Sequence, residues 1–115
     1  MTANKELCAN ASFALEIVLD EDKMIAHNEF FSDFELSIKT FVGKYNLSCK
    51  TDQTDTIYVL GNETDYAMIM ATMSILARTD WLYPYLSAFR YYNFYENGLD
   101  AEPENVIEAF SKWMV

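Results

Sequence analysis

The feature that most constrains the fold is an amphipathic segment from about Asp33 to Tyr45. Its apolar residues recur at helical spacing, which predicts a helix with one buried face; these residues are Phe34, Ile38, Phe41, Val42 and Tyr45. Ser32 and Glu35 have the spacing of a capping box, in which the hydroxyl and the carboxylate accept backbone N–H groups at the helix start. Glu35 and Lys39 then form a favourable i,i+4 pair on the same helix.

The residues on both sides of this helix have the patterns of strands. Residues 13–20 place apolar side chains at alternating positions, which favours a strand; they are Phe13, Leu15, Ile17 and Leu19. A helix over residues 7–19 is the alternative, because a second set also has helical spacing: Leu7, Ala11, Leu15 and Val18. Residues 47–51 and 56–60 flank a polar turn and predict a β-hairpin that ends at Gly61.

The second half of the chain predicts two further helices and a strand. One helix extends from about Asp65 to Ala77 with Thr64 as its cap, and its predicted buried face consists of Tyr66, Ile69, Met70, Met73, Leu76 and Ala77. Residues 86–96 have both strand-forming and helical patterns, and we predict a strand that begins near Ala88. A last helix is predicted to begin at Pro103, with a buried face of Val106, Ile107, Phe110, Trp113 and Met114.

The order of the first six elements is strand-helix-strand-strand-helix-strand, which is the order of ferredoxin-like folds. We therefore predict one α+β domain over residues 1–115, with an antiparallel sheet, helices on one face and an added C-terminal helix. A mostly helical domain with one β-hairpin is the alternative. No apolar run approaches the roughly 20 residues that span a bilayer.

The sequence offers little support for catalysis or metal binding. His27 is the only histidine, and no recognisable nucleophile and orienting carboxylate accompany it, as a catalytic triad would need. Its environment is instead typical of a surface or half-buried side chain before a helix. Cys8 and Cys49 have neither metal-ligand nor redox spacing, and we interpret them as free thiols. We predict a protein that is not an enzyme, with no catalytic residues, no metal and no cofactor.

The property most informative about function is the net charge of −10, from 8 basic and 18 acidic residues. This surplus disfavours direct binding to nucleic acid or to an anionic membrane, because both require basic side chains. It permits a basic protein as partner. The charges are uneven: from Glu16 to Glu35 Lys23 is the only base, from Tyr91 to Ser111 there is none, and residues 37–50 have lysines but no acid.

Tyrosines are the second informative feature. Residues 91–95 are rich in tyrosine and directly precede the last acidic segment. Tyrosine is large, stiff and enriched at protein interfaces. One interpretation places Tyr92 and Phe94 in the core with the other tyrosines partly exposed; the other makes the run a contact surface. The predicted partner-binding residues are Asp20, Glu21, Asp22, Glu29, Tyr91, Tyr95, Glu96, Asp100, Glu102, Glu104 and Glu108.

Small acidic single-domain proteins without catalytic motifs resemble, as a class, viral inhibitors of host nucleases, including anti-CRISPR and anti-restriction proteins. The resemblance rests on size, charge and missing motifs. It implies a cytoplasmic, non-enzymatic inhibitor, in the host cell if the gene is phage-encoded, whose carboxylates mimic nucleic acid toward a basic nucleic-acid-binding protein or nuclease. The same charge suits an immunity or antitoxin protein for a nuclease toxin.

Two hypotheses from other classes stay open. A small ligand-binding or enzymatic domain would be supported by a pocket that gathers His27, Cys49 or Tyr92. A structural subunit would bury its tyrosine-rich strand in a homodimer.

Overall fold

The computed structural model describes residues 2–52 and 55–108, with side chains from Lys5 onward. Its helices are α1 (Thr2–Asn10), α2 (Glu21–Ala26), α3 (Phe31–Gly43), α4 (Tyr66–Leu76) and α5 (Phe94–Asn97). Its strands are β1 (Phe13–Leu19), β2 (Ser48–Asp52), β3 (Thr56–Gly61), β4 (Leu86–Asn93) and β5 (Glu104–Asn105). Short 3-10 turns occupy Tyr83–Tyr85 and Gly98–Asp100.

The described strands form one antiparallel sheet in the order β2-β3-β1-β4-β5. The first four strands have the arrangement of a ferredoxin-like sheet, and β5 extends the edge next to β4. The predicted α+β class and element order are therefore confirmed. The mostly helical alternative is wrong, as is a helix over residues 7–19.

The central strand β1 defines the two ends of the sheet. Phe13 lies opposite Gly61 and Asn93, and Leu19 lies opposite Leu86. We call these ends the Phe13 end and the Leu19 end. Six steps of roughly 3.3 Å separate them by about 20 Å.

The first face of the sheet carries the main core. Alternate residues of β1 are fully buried there, Leu15 and Ile17 among them, together with Ile57 of β3 and Phe89 of β4. Helices α3 and α4 cover this face with side chains at helical spacing; they are Phe34, Ile38, Val42, Ile69, Met73 and Leu76. Burying one such aliphatic side chain contributes about 1.5–3 kcal/mol, which explains why the apolar spacing predicted these elements.

The second face is also covered, although we predicted helices on one face only. Helix α1 places Leu7 against this face, where it packs with Ala14, Tyr58 and Tyr92. The contact of α1 with the second face was not predictable from a periodic pattern, because Leu7 is the one buried residue of α1 among those with described side chains. A single contact leaves no periodic pattern.

Two predicted helix caps are wrong. Helix α3 begins at Phe31, so Ser32 lies inside its first turn, and the cap residue Phe30 makes no side-chain cap bond. The Glu35 carboxylate instead accepts a hydrogen bond from the Thr51 hydroxyl of β2, and its predicted pair with Lys39 is confirmed at 3.9 Å. The cap residue of α4 is Asp65 rather than Thr64.

The acidic run after β1 begins a helix that we did not predict. Asp20 is the cap of α2, and its carboxylate accepts the backbone N–H of Lys23 at 3.2 Å. Asp20 is thus both the last residue of the predicted strand pattern over residues 13–20 and the cap of α2, a role that suits a short acidic side chain.

The predicted start of the C-terminal helix at Pro103 is wrong. Residues 104–105 form β5, in which Glu104 lies opposite Tyr91 and Asn105 opposite Arg90. Helical backbone occupies residues 106–108. The rest of that predicted helix, with Phe110, Trp113 and Met114, lies outside the described residues. Backbone pairing with an edge strand leaves little trace in side-chain periodicity, which is why the sequence missed β5.

The two thiols are free and lie on opposite faces of the sheet. Cys49 packs against the core of the first face and Cys8 against the cluster of the second face. Burial raises the pKa of Cys49 to about 11. Within the described ranges, no helix is both long and apolar enough to cross a membrane.

Candidate functional site

Four aromatic rings meet at the Phe13 end of the sheet. The buried ring of Phe13 lies 5.4 Å from Tyr66, 6.5 Å from Tyr91 and 6.0 Å from Tyr95, measured between ring centroids. Tyr66 is the first residue of α4, Tyr91 belongs to β4, and Tyr95 belongs to α5. Pairing of β1 with β3 and β4 brings these elements together, because Phe13 lies opposite both Gly61 and Asn93.

The outer rings of this cluster are open to solvent. Tyr66 is 51% exposed and Tyr95 is 61% exposed. Tyr91 is half-buried, and its hydroxyl finds no hydrogen-bond partner among the described residues. Burial raises the pKa of Tyr91 to about 12, with smaller contributions from Tyr66, Glu96 and Glu104. The cluster therefore presents two exposed rings on a packed base.

Carboxylates lie near these rings, and those of Glu96 and Glu104 are close enough to contribute to the raised pKa of Tyr91. Residues 61–66 and 93–105, which supply this end of the sheet, contain six acids and no lysine, arginine or histidine: Glu63, Asp65, Glu96, Asp100, Glu102 and Glu104. The Asp65 carboxylate accepts the backbone N–H of Asn62 at 2.9 Å, whereas Glu96 and Glu104 are exposed. We call Phe13, Tyr66, Tyr91, Tyr95, Glu96 and Glu104 the aromatic–acidic surface.

The structure divides the predicted partner-binding residues between the two ends of the sheet. It brings Tyr91, Tyr95, Glu96 and Glu104 together, and it places Asp100 and Glu102 on the connection from α5 to β5. A second group follows the Leu19 end of β1; it consists of Asp20, Glu21, Asp22 and Glu29. About 20 Å of strand separates this group from Phe13. Glu108 belongs to neither end, because it lies four residues after Glu104 and donates its backbone N–H to the side chain of Asn105 at 2.9 Å.

Sequence analysis missed two members of the aromatic–acidic surface. Phe13 was predicted as an ordinary core residue, and Tyr66 was predicted to lie in the buried face of α4. Tyr66 is exposed because α4 begins with it, beyond the strand ends that the rest of the helix covers. The available signal was the position of Tyr66 directly after Glu63 and Asp65.

The ion pairs that join described residues leave the acids of the aromatic–acidic surface unused. Those pairs are Lys39 with Glu35 at 3.9 Å, Lys50 with Glu6 at 3.5 Å and Arg90 with Glu16 at 2.6 Å. Glu96 and Glu104 take part in none of them. No ion pair among the described residues therefore neutralises the negative charges of Glu96 and Glu104, which face solvent.

A second polar cluster lies on the second face of the sheet, at mid-strand. The Glu16 side chain is 12% exposed, and its carboxylate accepts bonds from Arg90 Nη1 at 2.6 Å, the Tyr58 hydroxyl at 3.0 Å and the Tyr92 hydroxyl at 3.4 Å. The register of the strands explains why these side chains meet, because Glu16 lies opposite both Tyr58 and Arg90. Burial, followed by the bond to Glu16, raises the pKa of Tyr58, and burial also raises that of Tyr92. This cluster stabilises the sheet and leaves its tyrosines protonated at neutral pH.

These pKa shifts predict a loss of stability in alkaline solution. The folded pKa values of Tyr58, Tyr91 and Tyr92 lie above the ordinary tyrosine value, so the folded state binds more protons than the unfolded state once pH exceeds about 10. The contribution of each protonated phenol is complete below that pH and is lost as pH rises toward the folded value. We expect each of these tyrosines to lower the free energy of unfolding by up to about 1.4 kcal/mol per pH unit in this range.

Urea unfolding across an alkaline pH series measures this slope, and Tyr91→Phe is its control. That variant removes a buried hydroxyl without a partner, so it should keep the stability at neutral pH and show a shallower alkaline slope. An unchanged slope in Tyr91→Phe would contradict the assignment of this phenol.

A cleft of about 1080 Å³ lies between α3, the end of α4 and residues 79–85. His27 lines it, exposed and edge-on to Tyr85 at 5.8 Å. Cys49 and Tyr92 lie elsewhere, in the cores of the first and second faces. Across residues 2–52 and 55–108, no group of three or more histidine, cysteine or acidic side chains could hold a metal ion. The cleft therefore brings His27 together with charged and apolar side chains, but with neither Cys49 nor Tyr92.

The aromatic–acidic surface is thus the best-defined candidate site of this protein. Comparison of the chain with protein-family models, curated proteins and solved structures found no match in any of the three.

Proposed function

We propose that this protein is a non-enzymatic binding protein that places its aromatic–acidic surface against an arginine-rich surface of a basic partner. The observation that carries the proposal is the pair of exposed rings, Tyr66 and Tyr95, on a segment of structure with six acids and no base. Guanidinium groups suit both parts of such a surface. They pair with carboxylates through charge-assisted hydrogen bonds, and they stack on tyrosine rings.

The support for a basic partner is strongest at this end of the sheet. Nearby Arg90 is engaged by Glu16 on the second face, and the acids Glu96 and Glu104 are free of the ion pairs found among the described residues. The packed base of Phe13 and Tyr91 holds the exposed rings in place, which lowers the ordering cost of binding.

The partner class that fits best is a nucleic-acid-binding protein or nuclease. Such proteins display arginine and lysine to neutralise phosphates, and a fixed array of carboxylates can occupy the same side chains. The proposed role is therefore that of a cytoplasmic inhibitor which competes with nucleic acid. Electrostatic attraction would speed the association and make it sensitive to salt.

Binding of labelled arginine-only and lysine-only peptides of equal length tests the proposal directly. We expect the arginine peptide to bind more tightly, because only the guanidinium combines stacking with paired hydrogen bonds. The double variant Glu96→Gln/Glu104→Gln should raise the dissociation constant by about 2- to 30-fold, since each exposed carboxylate contact is worth about 0.2–1 kcal/mol. Tyr66→Ala/Tyr95→Ala should reduce the preference for arginine over lysine.

The matched control is Asp22→Asn/Glu29→Gln, which removes the same charge at the Leu19 end. Equal weakening by both double variants would show that net charge alone drives binding, and the proposed surface would be rejected. With a cell lysate, proteins retained by the wild type but not by Glu96→Gln/Glu104→Gln should be released by duplex DNA. Retained proteins that DNA does not release would reject the nucleic-acid-competing role.

A further inference from the structure

A second surface, separate from the aromatic–acidic surface, lies along the outer side of α3. Four exposed residues follow helical spacing on this side and line the cleft, and Lys44 continues them beyond the helix end; they are Asp33, Leu36, Ser37, Thr40 and Lys44. The backbone of Lys44 still has helical angles, φ −64° and ψ −23°. This side of α3 is therefore one continuous stripe about 16 Å long.

The stripe carries one apolar side chain. Leu36 is 66% exposed, and Phe41, which is half-buried, lines the same cleft. Across the cleft, Ile75 of α4 and Trp81 are also exposed. Exposed apolar side chains therefore stand on both sides of the cleft, and such a surface suits a docked helix.

The charges on the stripe have opposite signs at its two ends. Asp33 lies in the first turn of α3, with Glu29 and Asp80 at the same end of the cleft beside Lys23. Lys44 lies at the opposite end, within residues 37–50, a segment with three lysines and no acid. Neither Asp33 nor Lys44 takes part in the ion pairs that join described residues.

We propose that a second copy of this chain docks on the stripe, with the two α3 helices antiparallel about a two-fold axis. This arrangement places Asp33 of each copy opposite Lys44 of the other, with Leu36 of each copy on one flank of the interface. The small side chains of Ser37 and Thr40 lie at the axis, where they allow two helices to approach closely. Every contact occurs twice, as in any isologous interface.

Charge complementarity favours a second copy over another partner. Two chains of net charge −10 repel each other over most of their surface. The α3 stripe differs because its basic end meets an acidic end of identical spacing in the antiparallel arrangement. The aromatic–acidic surface contains no residue of α3, so the dimer leaves it free, and the proposed function does not depend on the dimer.

Charge exchange between Asp33 and Lys44 tests the proposal. Analytical ultracentrifugation of the full chain over a concentration series should show wild-type mass rising from monomer to dimer. Asp33→Lys and Lys44→Asp should each raise the dimer dissociation constant about 10-fold, because two attractive contacts become repulsive. The double variant Asp33→Lys/Lys44→Asp restores opposite charges and should return to within about threefold of the wild type.

Two further variants separate this interface from other modes of association. Leu36→Ser changes an exposed side chain, so it should keep the helical circular dichroism of the monomer and lose the dimer. Tyr66→Ala/Tyr95→Ala should leave the dimer unchanged. A wild type that stays monomeric at every concentration, a double variant as weak as the single ones, or a dimer lost through the tyrosine variant would overturn the proposal.

Discussion

Phe13→Ala should destabilise the protein by about 3–5 kcal/mol, the usual cost of deleting a buried aromatic side chain. Phe13 is buried, and its ring supports Tyr66, Tyr91 and Tyr95 from below. The deletion would leave a cavity between β1, α4 and α5. The exposed tyrosines would then lose the packing that orients them, so the arginine peptide should bind more weakly as well.

Urea unfolding monitored by circular dichroism measures the loss of stability, and Phe13→Leu is the control. Leucine fills most of the space, so it should cost less than Ala by about 2 kcal/mol while removing the aromatic contacts. Peptide binding by folded Phe13→Leu then reports the orienting role alone. If Phe13→Ala cost less than about 1 kcal/mol, the ring would not be the packed base of the surface.

Glu16→Ala should destabilise the protein by about 2–4 kcal/mol. The substitution leaves Tyr58 and Tyr92 with buried hydroxyls that have lost their acceptor, and a buried donor without a partner costs about 1–3 kcal/mol. Arg90 loses its counterion as well, but its side chain is 41% exposed, so water offsets part of that loss. Because β1 is the central strand, the effect should appear as lower global stability.

A double-mutant cycle with Arg90→Met isolates the ion pair. Glu16→Gln keeps the shape and one acceptor oxygen, so it should cost less than Glu16→Ala. The coupling energy between Glu16→Ala and Arg90→Met should exceed about 0.5 kcal/mol, as for residues in direct contact. Additive effects would mean that the pair does not stabilise the sheet and that the tyrosines are the important donors.

Residues of the candidate site were predictable from the sequence where they lie next to one another along the chain. Tyr91, Tyr95 and Glu96 fall within one short segment, and the structure places them on one surface. Asp22 and Glu29 were predicted for the same surface but lie at the other end of the sheet. Composition counts acids without locating them, and the register of β4 with β5 decides that Glu104 joins Tyr91.

The sequence by itself determined the elements whose side chains repeat: β1, α3, the β2–β3 hairpin, α4 and β4. Burial of apolar side chains stabilises elements with that periodicity, so the pattern can be recognised in the local sequence. Only the tertiary structure decided that Phe13 would gather three tyrosines, that Glu16 would hold Arg90, and that α1 would cover the second face. Strand pairing brings these residues together from distant parts of the chain. Its backbone hydrogen bonds do not depend on side-chain identity, so they leave no signature in the sequence.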